Sequence, residues 1–349
     1  MDEQLLPDLL QLRGSVVAAS DEFFAAKENL ITPAAPAFAP HTFDVKGQVC
    51  DGWETRRRRG PGGALPDSSV RDWVIVRLGA PGVIRSVVVD TAFFTGNFPQ
   101  ACSADACSLT GYPSAEEVTD GPGPGGWQEI VPRCLLTGDA RHSFTVSSGR
   151  RFTHVRLNIF PDGGVARLHV HGEVVPDPAL LEGITVDLAA LENGGDIVAC
   201  SDEFYSSPRN VISPGLSRVM GEGWETRRRR KPGHEWLVVR LAGRGVIDVA
   251  EIDTSRYRGN QPEAALLQIM DADEDVTSAV LSDESGWRDL YPKVRLLPDT
   301  PQRFRVSGTP ATHVRLNIFP DGGVARLRLY GSLTEDGLAA VRRRWEETS

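Results

Sequence analysis

Hydrophobic and polar residues alternate along much of the chain, in a pattern typical of short β-strands. In THVRLNIF, Val155, Leu157 and Ile159 alternate with polar residues, which predicts one buried and one polar face. Asp72–Thr91 is rich in β-branched residues, and its central Gly-Ala-Pro-Gly predicts a turn between two strands. No long amphipathic helix interrupts the pattern. The sequence therefore predicts an all-β fold built from an antiparallel β-sandwich, or jelly roll.

This pattern occurs twice, because two long segments of the chain repeat each other in the same order. THVRLNIFPDGGVARL is found at Thr153–Leu168 and again, unchanged, at Thr312–Leu327. GWETRRRR occurs at Gly52–Arg59 and at Gly223–Arg230. The units are longer than the ~20–50 residues of solenoid repeats, so each one is a whole domain.

The repeats predict a tandem duplicated β-sandwich with domains at residues 1–175 and 183–333. Two prolines in the segment between them suit a short exposed linker. Residues 334–349 carry apolar side chains at helical spacing, which predicts a short C-terminal helix.

The composition of the chain indicates which classes of binding partner and which cell compartment to expect. A net charge of −9 argues against general binding to nucleic acids or anionic membranes. Five cysteines without a CxxC pair predict reduced thiols. The amino terminus is acidic and contains proline, and no apolar run reaches the ~20 residues of a membrane span, so a cytoplasmic location is expected.

No metal site and no cofactor are predicted. His169 and His171 form an HxH pair on a strand, which is one arrangement that can bind zinc. The second repeat has Arg328 and Tyr330 at these positions, which excludes a duplicated metal site.

GWETRRRR is the most specific motif for chemistry. In an extended chain, Glu54, Arg56 and Arg58 share one face, which suits a small anion because arginine binds carboxylates through two parallel hydrogen bonds. The second repeat offers the corresponding residues Glu225, Arg227 and Arg229. The alternative is a solvated strand or one that forms an interface between subunits.

A second set of polar side chains projects from the THVRLNIF strand. His154, Arg156 and Asn158 share its polar face, and Asp162 lies in the turn that follows. Histidine is the side chain best suited to move protons near neutral pH. The second repeat has the same set, namely His313, Arg315, Asn317 and Asp321. Alternatively, these residues only satisfy neighbouring strands and form the turn.

Two further segments supply polar candidates. SDEFFAAKENLI contains Glu22, Lys27 and Asn29, although its Ser-Asp-Glu start also suits a simple cap or turn. The GN-x-P motif places Asn97 in the first repeat and Asn260 in the second.

Taken together, SDEFFAAKENLI, DGWETRRRR, DWVIVRLGAPGVIRSVVVDT-x3-TGN-x-P and HVRLNIFPDGG-x-ARLHVHG resemble the allantoicase family over nearly the whole chain. The resemblance implies two galactose-binding-like jelly rolls and hydrolysis of allantoate to ureidoglycolate and urea in purine catabolism. It also implies a homo-oligomer. Ala26 stands where the family pattern has proline, which affects the geometry of a loop rather than the assignment.

The candidate residues fit this substrate, which carries one carboxylate and two ureido groups on one carbon. Arg56 or Arg58 would bind the carboxylate. Glu22, Asn97 and Asn158 would bind the ureido groups. The hypothesis is acid–base hydrolysis without a covalent intermediate, with Glu54 activating water and with His154 or a carboxylic acid protonating the departing urea. Glu225 and His313 are the corresponding catalytic candidates of the second repeat.

Two other functions were open at this level. Sandwiches of this type often bind carbohydrates or other small ligands without catalysis. The mixed Glu/Arg face argues against a sugar, since sugar binders usually display aromatic platforms. A purely structural role, with the arginine strands forming an oligomer interface, is the third alternative.

Overall fold

The computed structural model describes residues 6–120, 126–272 and 276–349, and the two repeats contain similar but not identical successions of strands. The first repeat contains β1 (Ser15–Ala19), β2 (Phe43–Asp44), β3 (Gly47–Gln48), β4 (Trp53–Glu54), β5 (Asp72–Asp90), β6 (Ala101–Cys107), α1 (Ala115–Asp120), β7 (Gln128–Leu135), β8 (Arg141–Thr145), β9 (Arg151–Phe160), β10 (Gly164–Val165) and β11 (Arg167–Val174). The second contains β12 (Val186–Asp187), β13 (Asp196–Cys200), β14 (Trp224–Glu225), β15 (Glu235–Asp253), β16 (Ala264–Met270), α2 (Ser278–Ser282), β17 (Arg288–Arg295), β18 (Pro301–Arg305), β19 (Ala311–Phe319), β20 (Gly323–Val324), β21 (Arg326–Leu333) and α3 (Glu335–Glu347). The predicted all-β fold with a short C-terminal helix is confirmed.

The strand pairing is antiparallel throughout. In the first repeat the sheet order is β1-β5-β9-β6-β7, and β8 and β11 also pair with β5. The second repeat has the order β12-β21-β15-β19-β16-β17, with β13 and β18 also paired to β15. Short 3-10 helices connect the strands at Lys27–Ile31, Pro61–Gly63, Pro178–Leu180, Leu191–Asn193, Pro208–Ile212 and Met220–Glu222.

The predicted turn within Asp72–Thr91 is wrong, because β5 is one strand of 19 residues. Its first part pairs with β1 and β9, and its last part pairs with β8 and β11. The register with β9 shifts between Arg77 and Gly82, so the strand bends there without reversing. A Cβ on Gly79 would lie 2.0 Å from the carbonyl oxygen of Leu12. Glycine is used here for a close backbone approach rather than for a turn.

Burial explains why the alternating segments form a sandwich. Val155, Leu157 and Ile159 of β9 are completely buried, as the alternation predicts. Burying one such side chain contributes roughly 1.5–3 kcal/mol. The opposite face is also covered, since His154 and Asn158 are 2% and 3% exposed. Most of the polar face of this strand is therefore buried, and Arg156 is partly exposed.

Each repeat is a compact unit with its own core. The first extends to Val174 and includes Thr348 and Ser349, and the second comprises Val175–Glu347. Helix α3 packs on β15 and β21 and so belongs to the second unit. Across the described ranges, no helix is both long enough and apolar enough to cross a membrane.

Candidate active site

The arginine-rich segment begins at a buried tryptophan that fixes its position. Trp53 is fully buried, and its indole Nε1 donates to the carbonyl oxygen of Asp21 at 2.7 Å. Trp224 makes the same bond to Asp202 at 2.8 Å. Strand β4 pairs with β10 through Trp53 and the following glutamate. Because side chains alternate along a strand, the glutamate projects away from the core that holds the tryptophan.

In each repeat this glutamate is held by the asparagine of the GN-x-P motif. Asn97 Nδ2 donates to Glu54 Oε1 at 2.7 Å, and Asn260 Nδ2 donates to Glu225 Oε1 at 2.7 Å. The hydrogen bond from the asparagine amide occupies one carboxylate oxygen and orients the other. Burial raises the pKa of Glu54 above its ordinary value, although the bond from Asn97 acts in the opposite direction. The structure thus brings together two predicted residues that are distant in sequence.

The PDGG turn supports this arrangement. In the second repeat the backbone N–H of Gly323 donates to the carbonyl oxygen of Asn260 at 2.8 Å. Gly322 has φ +132°, and a Cβ there would lie 2.6 Å from that same oxygen. Only glycine therefore allows the turn to pack against the loop that carries Asn260. Asp321 closes the turn, and its Oδ2 accepts the backbone N–H of Arg229 at 2.6 Å.

These elements enclose a pocket of about 320 Å³ in the second repeat. Its size lies at the lower end of the ~300–1,000 Å³ that small-molecule sites occupy. The polar side chains that line it are those of Tyr205, Glu225, Thr226, Arg228, Asn260, Gln261, Glu263, Arg295 and Asp321. Predicted residues among these are Glu225, Asn260 and Asp321. The pocket combines acidic, amide and guanidinium groups around a space suited to a small polar ligand.

The prediction that Glu54, Arg56 and Arg58 share a face is wrong. Strand β4 ends at Glu54, so the alternation does not continue into the arginines. The backbone N–H of Arg58 donates instead to Asp162 Oδ2 at 2.6 Å. In the second repeat, Arg228 lines the pocket together with Glu225.

The predicted carboxylate-binding arginines form internal ion pairs. Arg56 pairs with Asp21 at 2.9 Å, and Arg58 pairs with the fully buried Asp72. The second repeat repeats this arrangement, with Arg227 paired to Asp202 and Arg229 paired to Glu235. Burial would raise the pKa of Asp21, but the hydrogen bonds from Arg56 hold it below its ordinary value.

The predicted catalytic histidines lie far from the glutamates. His154 precedes the end of β9 by six residues, which is roughly 20 Å along a strand at ~3.3 Å per residue. Its Nδ1 is 2.9 Å from Thr153 Oγ1. Burial, with Arg77 as a smaller contribution, lowers the pKa of His154 to about 4, and burial with Arg240 does the same for His313. At a pKa of about 4 both imidazoles are neutral near pH 7, and His313 does not line the pocket of the second repeat, so the structure does not bring the predicted histidine and glutamate together there.

Stability should therefore depend on pH through these two histidines. Their folded-state pKa of about 4 lies below the ordinary 6.5, so the unfolded chain binds more protons between these values. We expect the free energy of unfolding to fall by about 3 kcal/mol per histidine from pH 7 to pH 4. Denaturant unfolding at both pH values measures this, with His154→Gln and His313→Gln as comparisons. An unchanged pH dependence in these variants would contradict the assignment.

The other residues of the predicted histidine face form a separate cluster. Arg156 pairs with Asp105 at 2.8 Å, and Asn158 Nδ2 donates to the same carboxylate at 2.9 Å. The guanidinium of Arg156 stacks 4.7 Å from the Trp127 ring. In the second repeat Arg315 donates to Asn317 Oδ1 at 3.0 Å and stacks 4.4 Å from the Trp236 ring. Neither Arg315 nor Asn317 lines the pocket.

The candidates from SDEFFAAKENLI stabilise the loop in which they lie. Lys27 forms ion pairs with Glu22 at 3.1 Å and with Glu28 at 2.9 Å. Asn29 Nδ2 donates to the carbonyl oxygen of Gly52 at 2.9 Å, which ties this loop to the start of GWETRRRR. These contacts hold the loop in place, but the 3-10 helix Lys27–Ile31 begins at Ala26 without a side-chain cap from that residue, so the Ser-Asp-Glu start does not form its N-cap.

Several pocket residues were missed at the sequence level. Arg228 stands inside GWETRRRR, but the assumption of a regular strand placed it on the opposite face. Gln261 and Glu263 flank the proline of GN-x-P, where the repeats differ and no motif draws attention. Tyr205 and Arg295 carried no signal, since nothing local indicates that their loops meet.

The described residues contain no group of three or more His, Cys, Asp or Glu side chains arranged to hold a metal ion. His169 Nδ1 lies 2.8 Å from Asp8 Oδ2, and His171 Nδ1 lies 3.2 Å from the carbonyl oxygen of Leu6. The HxH pair therefore contacts the segment that precedes β1. All five cysteines are unpaired in the structure.

The fold and the pocket together define the class of protein. It is a duplicated jelly roll whose pocket holds a carboxylate, bonded by an asparagine amide, in a space suited to a small polar molecule. A family model described as the allantoicase repeat matches residues 8–175 and 186–334. The chain belongs to the allantoicase family. It is 48% identical over 342 residues to a probable allantoicase of Streptomyces avermitilis, covering 97% of this chain and 88% of that protein.

Other relatives agree with this membership. A probable allantoicase of Nocardia farcinica is 50% identical over 335 residues, which is 94% of each chain. The crystal structure of allantoicase from Saccharomyces cerevisiae superposes with a TM-score of 0.73 at 33% identity, covering 93% of this chain and 92% of that one. The predicted family and the predicted jelly-roll fold are confirmed, and a non-catalytic carbohydrate-binding pair is not favoured.

Proposed function

We propose that this chain hydrolyses allantoate to ureidoglycolate and urea in the pocket of its second repeat. Membership of the allantoicase family supports the activity, which is that of a hydrolase acting on carbon–nitrogen bonds of linear amidines. The observation that carries the choice of site is the carboxylate of Glu225, held by Asn260 inside a cavity of about 320 Å³.

The substrate's carboxylate is bound by arginine in this proposal. Arg228 and Arg295 line the pocket, and a guanidinium can grip a carboxylate through two parallel hydrogen bonds. Such binding leaves the central carbon and its two ureido groups facing the acidic side of the pocket. Arg228 and Arg295 take the place of the arginines that the sequence predicted to bind the carboxylate. Those arginines already form ion pairs with aspartate or glutamate side chains, and they are Arg56, Arg58, Arg227 and Arg229.

Glu225 acts as the general base. Its Oε1 accepts the bond from Asn260, so its second oxygen is oriented to take a proton from water. The water oxygen forms a bond to the central carbon as the bond from that carbon to one ureido nitrogen breaks. The same carboxyl group then returns the proton to the departing nitrogen, which releases urea. One carboxylate performs both proton transfers, and no histidine is required.

The experiment that tests the activity is a urea-release assay on the purified protein with allantoate. We expect urea and ureidoglycolate in equal amounts, because hydrolysis of one carbon–nitrogen bond yields one of each. Allantoin, which lacks the free carboxylate, serves as the control substrate. Absence of urea with allantoate would contradict the proposed function.

We further propose that the protein is a cytoplasmic homo-oligomer whose small-molecule partner is allantoate. The five unpaired cysteines support a reducing compartment. The net charge of −9 supports the absence of nucleic-acid and membrane partners. Analytical ultracentrifugation measures the number of subunits.

A further inference from the structure

The two repeats share a glutamate and asparagine pair but differ in the residues around it. The GN-x-P motif reads Gly96-Asn97-Phe98-Pro99-Gln100 in the first repeat and Gly259-Asn260-Gln261-Pro262-Glu263 in the second. The segments GWQEIVPRCLL and GWRDLYPKVRL align Leu135 with Arg295. An amide and a guanidinium of the second repeat are therefore replaced by apolar side chains in the first.

Gln261 has a side-chain oxygen that the fold leaves unsatisfied. It lines the pocket, and its Oε1 is buried with no hydrogen-bond partner among the described residues. An unsatisfied buried acceptor carries an energetic cost. Rotation of the terminal amide toward the pocket removes this cost if a bound molecule supplies an N–H donor. Ureido groups are rich in such donors.

Arg295 is a guanidinium at the rim of the same pocket. It lies at the end of β17, its side chain is exposed, and it lines the cavity together with Glu225 and Arg228. Leu135 at the matching position is 83% exposed, which is unusual for a leucine. Its apolar side chain cannot bind an anion. Of the two guanidiniums that line the second-repeat pocket, Arg228 has a counterpart in Arg57 of the first repeat, whereas Arg295 has none.

The first repeat also fills the space differently. A Cβ on Gly138 would lie 2.7 Å from the ring of Phe98, so this ring packs directly against that glycine. The second repeat has Pro298 and Gln261 at these two positions, and both line its pocket. The ring of Phe98 cannot accept a hydrogen bond from an N–H group as the amide of Gln261 can. It also makes this wall of the site apolar.

We infer that Gln261 and Arg295 determine the specificity of the second-repeat pocket for a ureido-substituted carboxylate, and that the first repeat, with Phe98 and Leu135, does not bind this substrate. The inference rests on the proposed function and deepens it. Gln261 accepts N–H bonds from a ureido group, and Arg295 shares the carboxylate with Arg228. One substrate molecule binds per chain.

The test exchanges these residues between the repeats. Gln261→Phe and Arg295→Leu give the second repeat the residues of the first, and Phe98→Gln and Leu135→Arg do the reverse. We expect Arg295→Leu to lower kcat/KM for allantoate by about 10- to 100-fold and Gln261→Phe by about 10-fold, the range for lost hydrogen bonds to charged and polar groups. Both reverse variants should stay within about two-fold of the parent. A normal kcat/KM in Arg295→Leu, or an equal loss in Leu135→Arg, overturns the inference.

Calorimetric titration with allantoate separates this inference from the proposed activity. A Glu225→Gln background slows turnover by at least about 100-fold, so the heat of binding dominates the titration. We expect one site per chain, which Arg295→Leu weakens. Two sites per chain overturn the inference. One site that depends on Arg295, in a wild-type protein that releases no urea, upholds the inference while refuting the proposed hydrolysis.

Discussion

Replacing Glu225 with glutamine lowers kcat for urea release by at least about 100-fold, because general acid–base catalysis contributes roughly 10²–10⁴ in rate. Glutamine has the same shape and retains a carbonyl oxygen for Asn260 Nδ2, which lies 2.7 Å from the carboxylate in the wild type. The variant should therefore fold and bind substrate normally, and only proton transfer is lost. Steady-state kinetics with allantoate should show the loss in kcat rather than in KM.

The matched control is Glu346→Gln, which removes an exposed carboxylate from helix α3 of the same unit. Its kcat should equal that of the wild type. Thermal unfolding of both variants verifies that neither substitution affects the fold. Near-normal turnover in Glu225→Gln would remove this residue from the mechanism, even if the chain releases urea from allantoate.

Replacing Arg58 with methionine destabilises the first repeat by roughly 3–5 kcal/mol, the cost of leaving a buried charge without its partner. The side chain of Asp72 is fully buried, and Arg58 Nε donates to both of its oxygens at 3.1 Å. Ser20 Oγ also donates to Asp72 at 2.7 Å, but one hydroxyl does not neutralise the charge. Denaturant unfolding measures the loss of stability.

Arg57→Met is the control for this prediction. Arg57 is the neighbouring, exposed arginine of the same run, so its loss should change stability by less than about 0.5 kcal/mol. If Arg58→Met costs no more than Arg57→Met, the ion pair with Asp72 does not hold the arginine segment in place. A large difference assigns Arg58 to the architecture of the site rather than to substrate binding.

Only part of the site's composition, and none of its geometry, could be predicted from the sequence. The duplicated motifs identified Glu225, Asn260 and Asp321, which all line the pocket. The distance between Glu225 and Asn260 along the chain carries no information about their hydrogen bond, since that bond depends on how two loops meet. Extended alternation also failed after Glu54, where the backbone N–H groups of Arg56 and Arg58 donate to the side chains of Asp21 and Asp162 rather than to a neighbouring strand.

The histidines illustrate a second limit. His154 sits on a polar face in sequence, and alternation predicts that such a face meets solvent or ligand. In the structure it is 2% exposed, about 20 Å along the strand from the PDGG turn. Periodicity assigns a side chain to a face, but it does not say what covers that face or which end of the strand a ligand approaches.

The sequence by itself determined the duplication, the all-β class and the family, because these follow from repeated motifs and from local hydrophobic periodicity. Only the tertiary structure decided which arginine of the second run lines the pocket, which charges are already paired, and where the two repeats cease to be equivalent. These features depend on contacts between loops that are distant in sequence, such as those carrying Gln261 and Arg295. Local patterns have no physical means of encoding such contacts, since the free energy that selects them arises only when the whole sandwich has packed.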